Sequence, residues 1–167
     1  MSSIIKVDQI QLADGSTPTA GDLGLNTDGT ILNVWNMTWG GQTAVNTTTW
    51  TDTGLTLTVT PTSADSKFYI SASIWGYIEN SSVHGCFDVY SSAKGARLAN
   101  SGYGMGNIRA TSGNLQSQLV VAYTDSPNTI SDITYTVQIM RTNADSGNFY
   151  AGASSRVSAY QILEIAG

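Results

Sequence analysis

The sequence predicts an all-β protein, an antiparallel β-sandwich of jelly-roll-like form preceded by an extended N-terminal arm. Three observations predict it. Apolar residues recur with period two along most of the 167-residue chain, and the helical spacing i, i+3, i+4, i+7 finds no sustained match. Ser and Thr together make up roughly a quarter of the residues, and Thr favours the pleated surface of a strand. Clusters of Gly, Pro, Asn, Asp and Ser punctuate the apolar stretches at the spacing of a sandwich, with no helical segment between them.

The first thirty residues stand apart. In MSSIIKVDQIQL, Ile4, Ile5, Val7, Ile10 and Leu12 form an apolar segment, and ADGSTPTAGDLGLNTDGT then runs from turn to turn without a core of its own. Covering each large side chain is worth about 1.5–3 kcal/mol, so these five residues form a docking arm that needs a partner surface. Thirty extended residues reach on the order of 100 Å, several times the radius of a domain this size. Residues 1–30 are therefore read as an arm, and 31–167 as the sandwich that oligomerises.

The strands follow in order. ILNVWNMTW (31–39) alternates, with Trp35, Met37 and Trp39 on one face, a candidate subunit interface or core stripe. In GLTLTVTP, Leu55, Leu57 and Val59 oppose Thr56, Thr58 and Thr60 until Pro61 ends the run. KFYISASIWGYI (67–78) places Phe68, Ile70, Ala72, Ile74 and Ile78 on one face and Tyr69, Ser71, Ser73, Trp75 and Tyr77 on the other, so it is expected to be covered on both sides. Further strands are expected near 83–90, 114–123, 132–141, 147–153 and 156–165, with a short edge strand in SSAKGARLAN and a loop at 101–113.

Chemistry-bearing motifs are scarce. His84 is the sole histidine and no G-x-S-x-G turn exists, so a Ser-His-Asp arrangement lacks its parts. Glu79 and Glu164 are the only glutamates, a thin pool for a carboxylate pair. The acids Asp8, Asp14, Asp22 and Asp28 lack calcium-loop spacing and suit turns. The expectation is no enzyme, no metal and no cofactor. GYGMGN (102–107) lacks phosphate-loop spacing; Tyr103, Met105 and Asn107 are instead a candidate recognition loop at one end of the sandwich. Trp50 and Trp75 are either buried or platforms for sugar rings.

A net charge of −5 with seven scattered Lys and Arg gives no basic stripe, which argues against a nucleic-acid partner. Cys86 is alone, so no internal disulfide or cysteine zinc site is available. Lys6, Asp8, Gln9 and Gln11 interrupt any signal-peptide pattern, and no run is long enough for a spanning helix. Synthesis in a cytoplasm and no membrane insertion are expected.

IIKVDQIQ followed by DLGLNTDGTILNVW, then TGLTLTVTPTSADSKFYISASI, YTDSPNTISDITYTVQI and the closing ILEIAG, resembles in order and spacing a family of tailed-bacteriophage virion proteins from aquatic or cyanobacterial hosts. The likeness covers nearly the whole chain. It implies a virion structural protein, a short tail fibre, capsid decoration or cement protein, with an N-terminal attachment leader and a C-terminal β-sandwich that forms a homotrimer. The implied partners are other virion proteins of the capsid or tail. The chain lacks the shaft of longer fibres. A host-surface receptor binder that contacts glycan through loops 101–113 and 143–148 is the alternative, and a polysaccharide-degrading enzyme a remote one.

Overall fold

A computed structural model describes residues 10–18, 21–24, 28–79, 83–142 and 147–167. Among them are eleven strands and no helix: β1 (Ile31–Trp39), β2 (Gln42–Val45), β3 (Thr51–Val59), β4 (Lys67–Ile78), β5 (His84–Ser91), β6 (Ala96–Arg97), β7 (Gly106–Arg109), β8 (Leu115–Asp125), β9 (Ile133–Arg141), β10 (Phe149–Gly152) and β11 (Ser158–Ile165). Two antiparallel sheets pack face to face, so the all-β sandwich expected from the alternation is the fold observed.

The first sheet is organised by β4. One edge of β4 pairs with β8 along its length, from Phe68 opposite Asp125 to Ile78 opposite Leu115. The other edge takes β11 over Lys67–Ser73 and β10 over Gly76–Ile78. β1 then pairs with β11, and β2 with β10. β1 and β2 therefore act as one broken strand beside a second broken strand, β10 and β11. Residues 153–157 leave the ladder at that break and bring Arg156 to 5.1 Å from the Trp75 ring centre, on the outer face.

The second sheet runs β3, β9, β5, with β6 and β7 sharing the far edge of β5. Inward residues of both sheets form one core that includes Leu55, Val59, Phe68, Ile70, Ile74, Val89, Val121, Val137, Ile139 and Ile162. The face of β4 that holds Phe68, Ile70, Ala72, Ile74 and Ile78 is fully buried, as its alternation predicts. Its other face, from Tyr69 to Tyr77, is not closed by a further layer: Ser71, Ser73, Trp75 and Tyr77 are half-buried and Tyr69 is exposed.

Trp39 shows how sequence becomes packing. Gly41, Gly54 and Gly152 surround its indole, and a Cβ at any of them would fall 2.3–2.5 Å from ring atoms. Three glycines from three segments thus make the seat for one ring. Gly152 is also held at φ +75°, where a side chain is disfavoured. β2 and β7, four residues each, were not expected, because two alternations are too few to stand out from a loop.

Before β1 the described leader forms local turns. Leu12 N–H donates to Ser16 O (2.8 Å), and Asp14 accepts from Ser16 N and Oγ at 2.9 and 2.7 Å. The ladder to β11 begins just ahead of β1, where Gly29 N–H donates to Ala166 O and Ala166 N–H to Thr30 O.

Candidate binding surfaces

Residues 98–105 join β6 to β7 along the far edge of β5. Leu98 N–H donates to Val89 O at 2.8 Å and Met105 N–H to Phe87 O at 2.9 Å. β5 is buried along most of its length on both faces. Cys86 is fully buried, and burial pushes its thiol up to about 11. Asp88 is buried as well: burial lifts its carboxyl above the usual range, while the amides of Val89 and Ala99 and the charge of Arg97 pull the other way. Arg97 lies over the Trp50 ring, 4.6 Å from its centre. Trp50 is thereby committed to an intramolecular contact.

The candidate recognition loop divides in two. Tyr103 is 55% exposed and Asn107 is exposed, whereas Met105 turns inward against the core. His84 joins the outer pair: its Nε2 lies 2.9 Å from Asn107 Oδ1, and its ring packs 5.2 Å from that of Tyr103. Beside them lies a pocket of about 280 Å³ lined by Thr48, Gly102, Tyr103, Met140, Arg141 and Thr142. Residues 143–146 of the other expected loop lie outside the described residues.

The outer face of the first sheet carries the second surface. Cross-strand register aligns Asn36, Gln161, Ser71 and Ala122 in one row and Thr38, Ala159, Ser73 and Val120 in the next. These short side chains floor a groove of about 250 Å³ whose lining includes Asn36, Thr38, Ser71, Ser73 and Gln161. At one end Trp75 stacks on Tyr77 (5.8 Å, 20°) with Arg156 over its ring, and Tyr77 meets Tyr150 at 5.5 Å. Tyr150 O–H donates to Glu79 Oε1 at 3.0 Å, and Asn148 Nδ2 donates to Glu79 Oε2 at 2.8 Å.

Trp35, Met37 and Trp39 are half-buried and pack against the core, with Trp35 6.2 Å from Phe68, ring centre to ring centre. On the opposite face of β1, Val34, Asn36 and Thr38 are exposed. Of the docking-arm residues, Ile4, Ile5 and Val7 lie outside the described residues; Ile10 and Leu12 are 50% and 37% exposed. Among the described residues no group of three or more His, Cys, Asp or Glu is placed to hold a metal.

Two further buried carboxylates are structural. Glu164 accepts from Asn33 Nδ2 (2.7 Å), Thr62 N (2.5 Å), Thr62 Oγ1 (2.9 Å) and Ser66 Oγ (2.7 Å). Burial alone would raise its pKa; the donors from Asn33, Ser66 and Thr62 outweigh that and hold it below the ordinary glutamate value. Asp125 pairs with Lys94 Nζ at 2.6 Å and accepts from Tyr135 O–H at 2.9 Å. Neither glutamate nor histidine signals in the sequence distinguish such carboxylates from surface ones, because their donors come from distant strands and turns.

No family model and no curated protein matches the chain. Among solved structures, it is similar to a chain in the structure of infectious bursal disease virus Gx strain, with a TM-score of 0.39 and 12% identity over 81% of this chain and 32% of that one. The chain thus spans about a third of that chain's length.

Proposed function

We propose that this protein is a virion structural protein, a short fibre, decoration or cement protein of the tailed-phage kind, which docks through residues 1–30 and oligomerises through its sandwich. The observation that carries the reading is the position of the leader's apolar side chains: Ile10, Leu12 and Leu23 are 50%, 37% and 45% exposed while the sandwich fills its core without them. Large apolar side chains left outside a filled core gain free energy by meeting a partner. The ordered likeness of the sequence to phage leader-and-sandwich proteins names the class of partner, a capsid or tail protein. Docking by strand addition would draw affinity from backbone hydrogen bonds and register from the apolar face.

The test is deletion of residues 2–28. The shortened chain should keep the wild-type far-ultraviolet β signature and melting behaviour, yet fail to co-sediment with virus particles that the full chain decorates. Decoration at normal occupancy by the shortened chain would refute the arm.

A second reading, glycan binding, is favoured by the groove on the first sheet, where amides of Asn36 and Gln161 and hydroxyls of Thr38, Ser71 and Ser73 converge on a floor of small residues. Such groups match the donor and acceptor pattern of sugar hydroxyls. Its test is a glycan array probed with the full chain and with Gln161→Ala. Binding by the wild type that the variant loses supports it; no binding, or equal binding by both, rejects the groove.

A further inference from the structure

The four sheet edges are treated differently. β1 carries a register shift between Ile31 and Asn33 and breaks before β2. β3 carries one between Asp52 and Thr56. The opposite edge of the second sheet is divided between β6, two residues, and β7, four residues. Bulges and short strands are the usual devices that stop an edge from pairing with another chain. β8 has none of them. It runs eleven residues, LQSQLVVAYTD, in unbroken register with β4, and contains no Pro, Gly, Lys or Arg. Among the described residues β8 pairs with β4 alone, and no backbone hydrogen bond outside the strand ladders involves it. Half of its backbone groups therefore face outward along about 36 Å.

We propose that this edge is the contact between two copies of the chain, with β8 pairing antiparallel to β8 of the second copy about a two-fold axis at Val120. Val120 is the middle residue of the strand, so only a register centred on it pairs all eleven positions. In that register Val120 meets Val120 of the copy, Gln118 meets Ala122, Gln116 meets Thr124, and Leu119 meets Val121. The most exposed apolar side chain of the strand, Val120 at 66%, is covered at the axis. The only charge on the strand, Asp125, falls opposite Leu115 and not opposite itself, and Lys94 already neutralises it within its own chain. No like charges face one another, the condition under which cross-strand pairs are favourable. An isologous pairing of this kind closes on itself, and the two first sheets become one continuous sheet.

The proposal does not depend on the virion reading and is tested without virus, on the full chain. Light scattering coupled to gel filtration, from about 1 to 100 μM, should show a dimer that Val120→Lys converts to monomer, because two ammonium groups then meet at the axis. Ile130→Lys, equally exposed but off the strand, should leave the dimer intact. Val120→Cys should give a disulfide-linked dimer under mild oxidation, and Gln118→Cys should cross-link with Ala122→Cys only when the two variants are mixed. The buried Cys86 keeps the background low. A wild-type monomer throughout the range, a trimer or larger oligomer indifferent to Val120→Lys, a dimer lost on deletion of residues 2–28 but kept in Val120→Lys, or no cross-link at position 120 would each overturn it.

Discussion

Glu164→Gln isolates the junction of the 61–66 turn with β11 and β1. In the wild type Oε1 accepts from Thr62 N–H and Ser66 O–H, and Oε2 from Asn33 Nδ2–H and Thr62 O–H. An amide must place its NH₂ at one of these positions. At the first it faces the Thr62 N–H, which cannot turn; at the second the Asn33 amide must turn over to accept through Oδ1 and so gives up its own bond to Thr62 Oγ1, while the hydroxyls can rotate to accept. One hydrogen bond is lost, worth about 0.5–1.5 kcal/mol, and the remaining bonds lose their charge assistance, about 1 kcal/mol each. Gln costs less than a carboxylate to bury, which offsets part of this. The net loss is about 2–4 kcal/mol, or about 5–15 °C in Tm for a chain of this size.

Thermal melts followed by circular dichroism across pH check it. The folded carboxyl titrates below its unfolded value, so its stabilisation is complete above the ordinary glutamate pKa of about 4.3 and is lost as pH falls through the lower folded value. The gap between wild type and Glu164→Gln should therefore be full at pH 7 and narrow under acid. A variant within about 2 °C of wild type at pH 7, or a gap unchanged down to pH 3, would refute the reasoning.

Gly54→Ala should destabilise by about 1–3 kcal/mol, because its Cβ would stand 2.3 Å from Trp39 Nε1; urea unfolding measures it, with loss of the native Trp fluorescence as the probe. Tyr135→Phe should cost about 1–3 kcal/mol in the same assay by leaving Asp125 without its phenolic donor. Cys86 should be inert to a thiol reagent at pH 8 in the native protein and react at once in denaturant, since burial holds the thiol up at about 11; rapid native labelling would show that the sandwich opens readily around β5.

The period-two alternation alone was enough to place β1 at 31–39 and β4 at 67–78 and to say which side of β4 would be core. Turn chemistry was legible for the same reason: in ADGS the Asp14 side chain closes its own turn, an interaction two residues long. These features are local, set by side-chain polarity and backbone preference within a few residues. Trp35 and Trp39 were ambiguous between core and interface, since alternation tells which residues share a face but not what covers it.

What tertiary structure alone decided is who meets whom. Nothing within GYGMGN says that its flank will pair with β5 and donate to the buried Asp88, and nothing near Glu164 says that Asn33, Thr62 and Ser66 will surround it, because those partners arrive from as far as 131 residues away. The seat of Trp39 needs Gly54 and Gly152 beside the neighbouring Gly41, and only long-range pairing brings those two to it. The open edge of β8 belongs to the same class: LQSQLVVAYTD reads as a strand in isolation, but only the sheet order shows that among the described residues one of its sides pairs with β4 and the other with no strand.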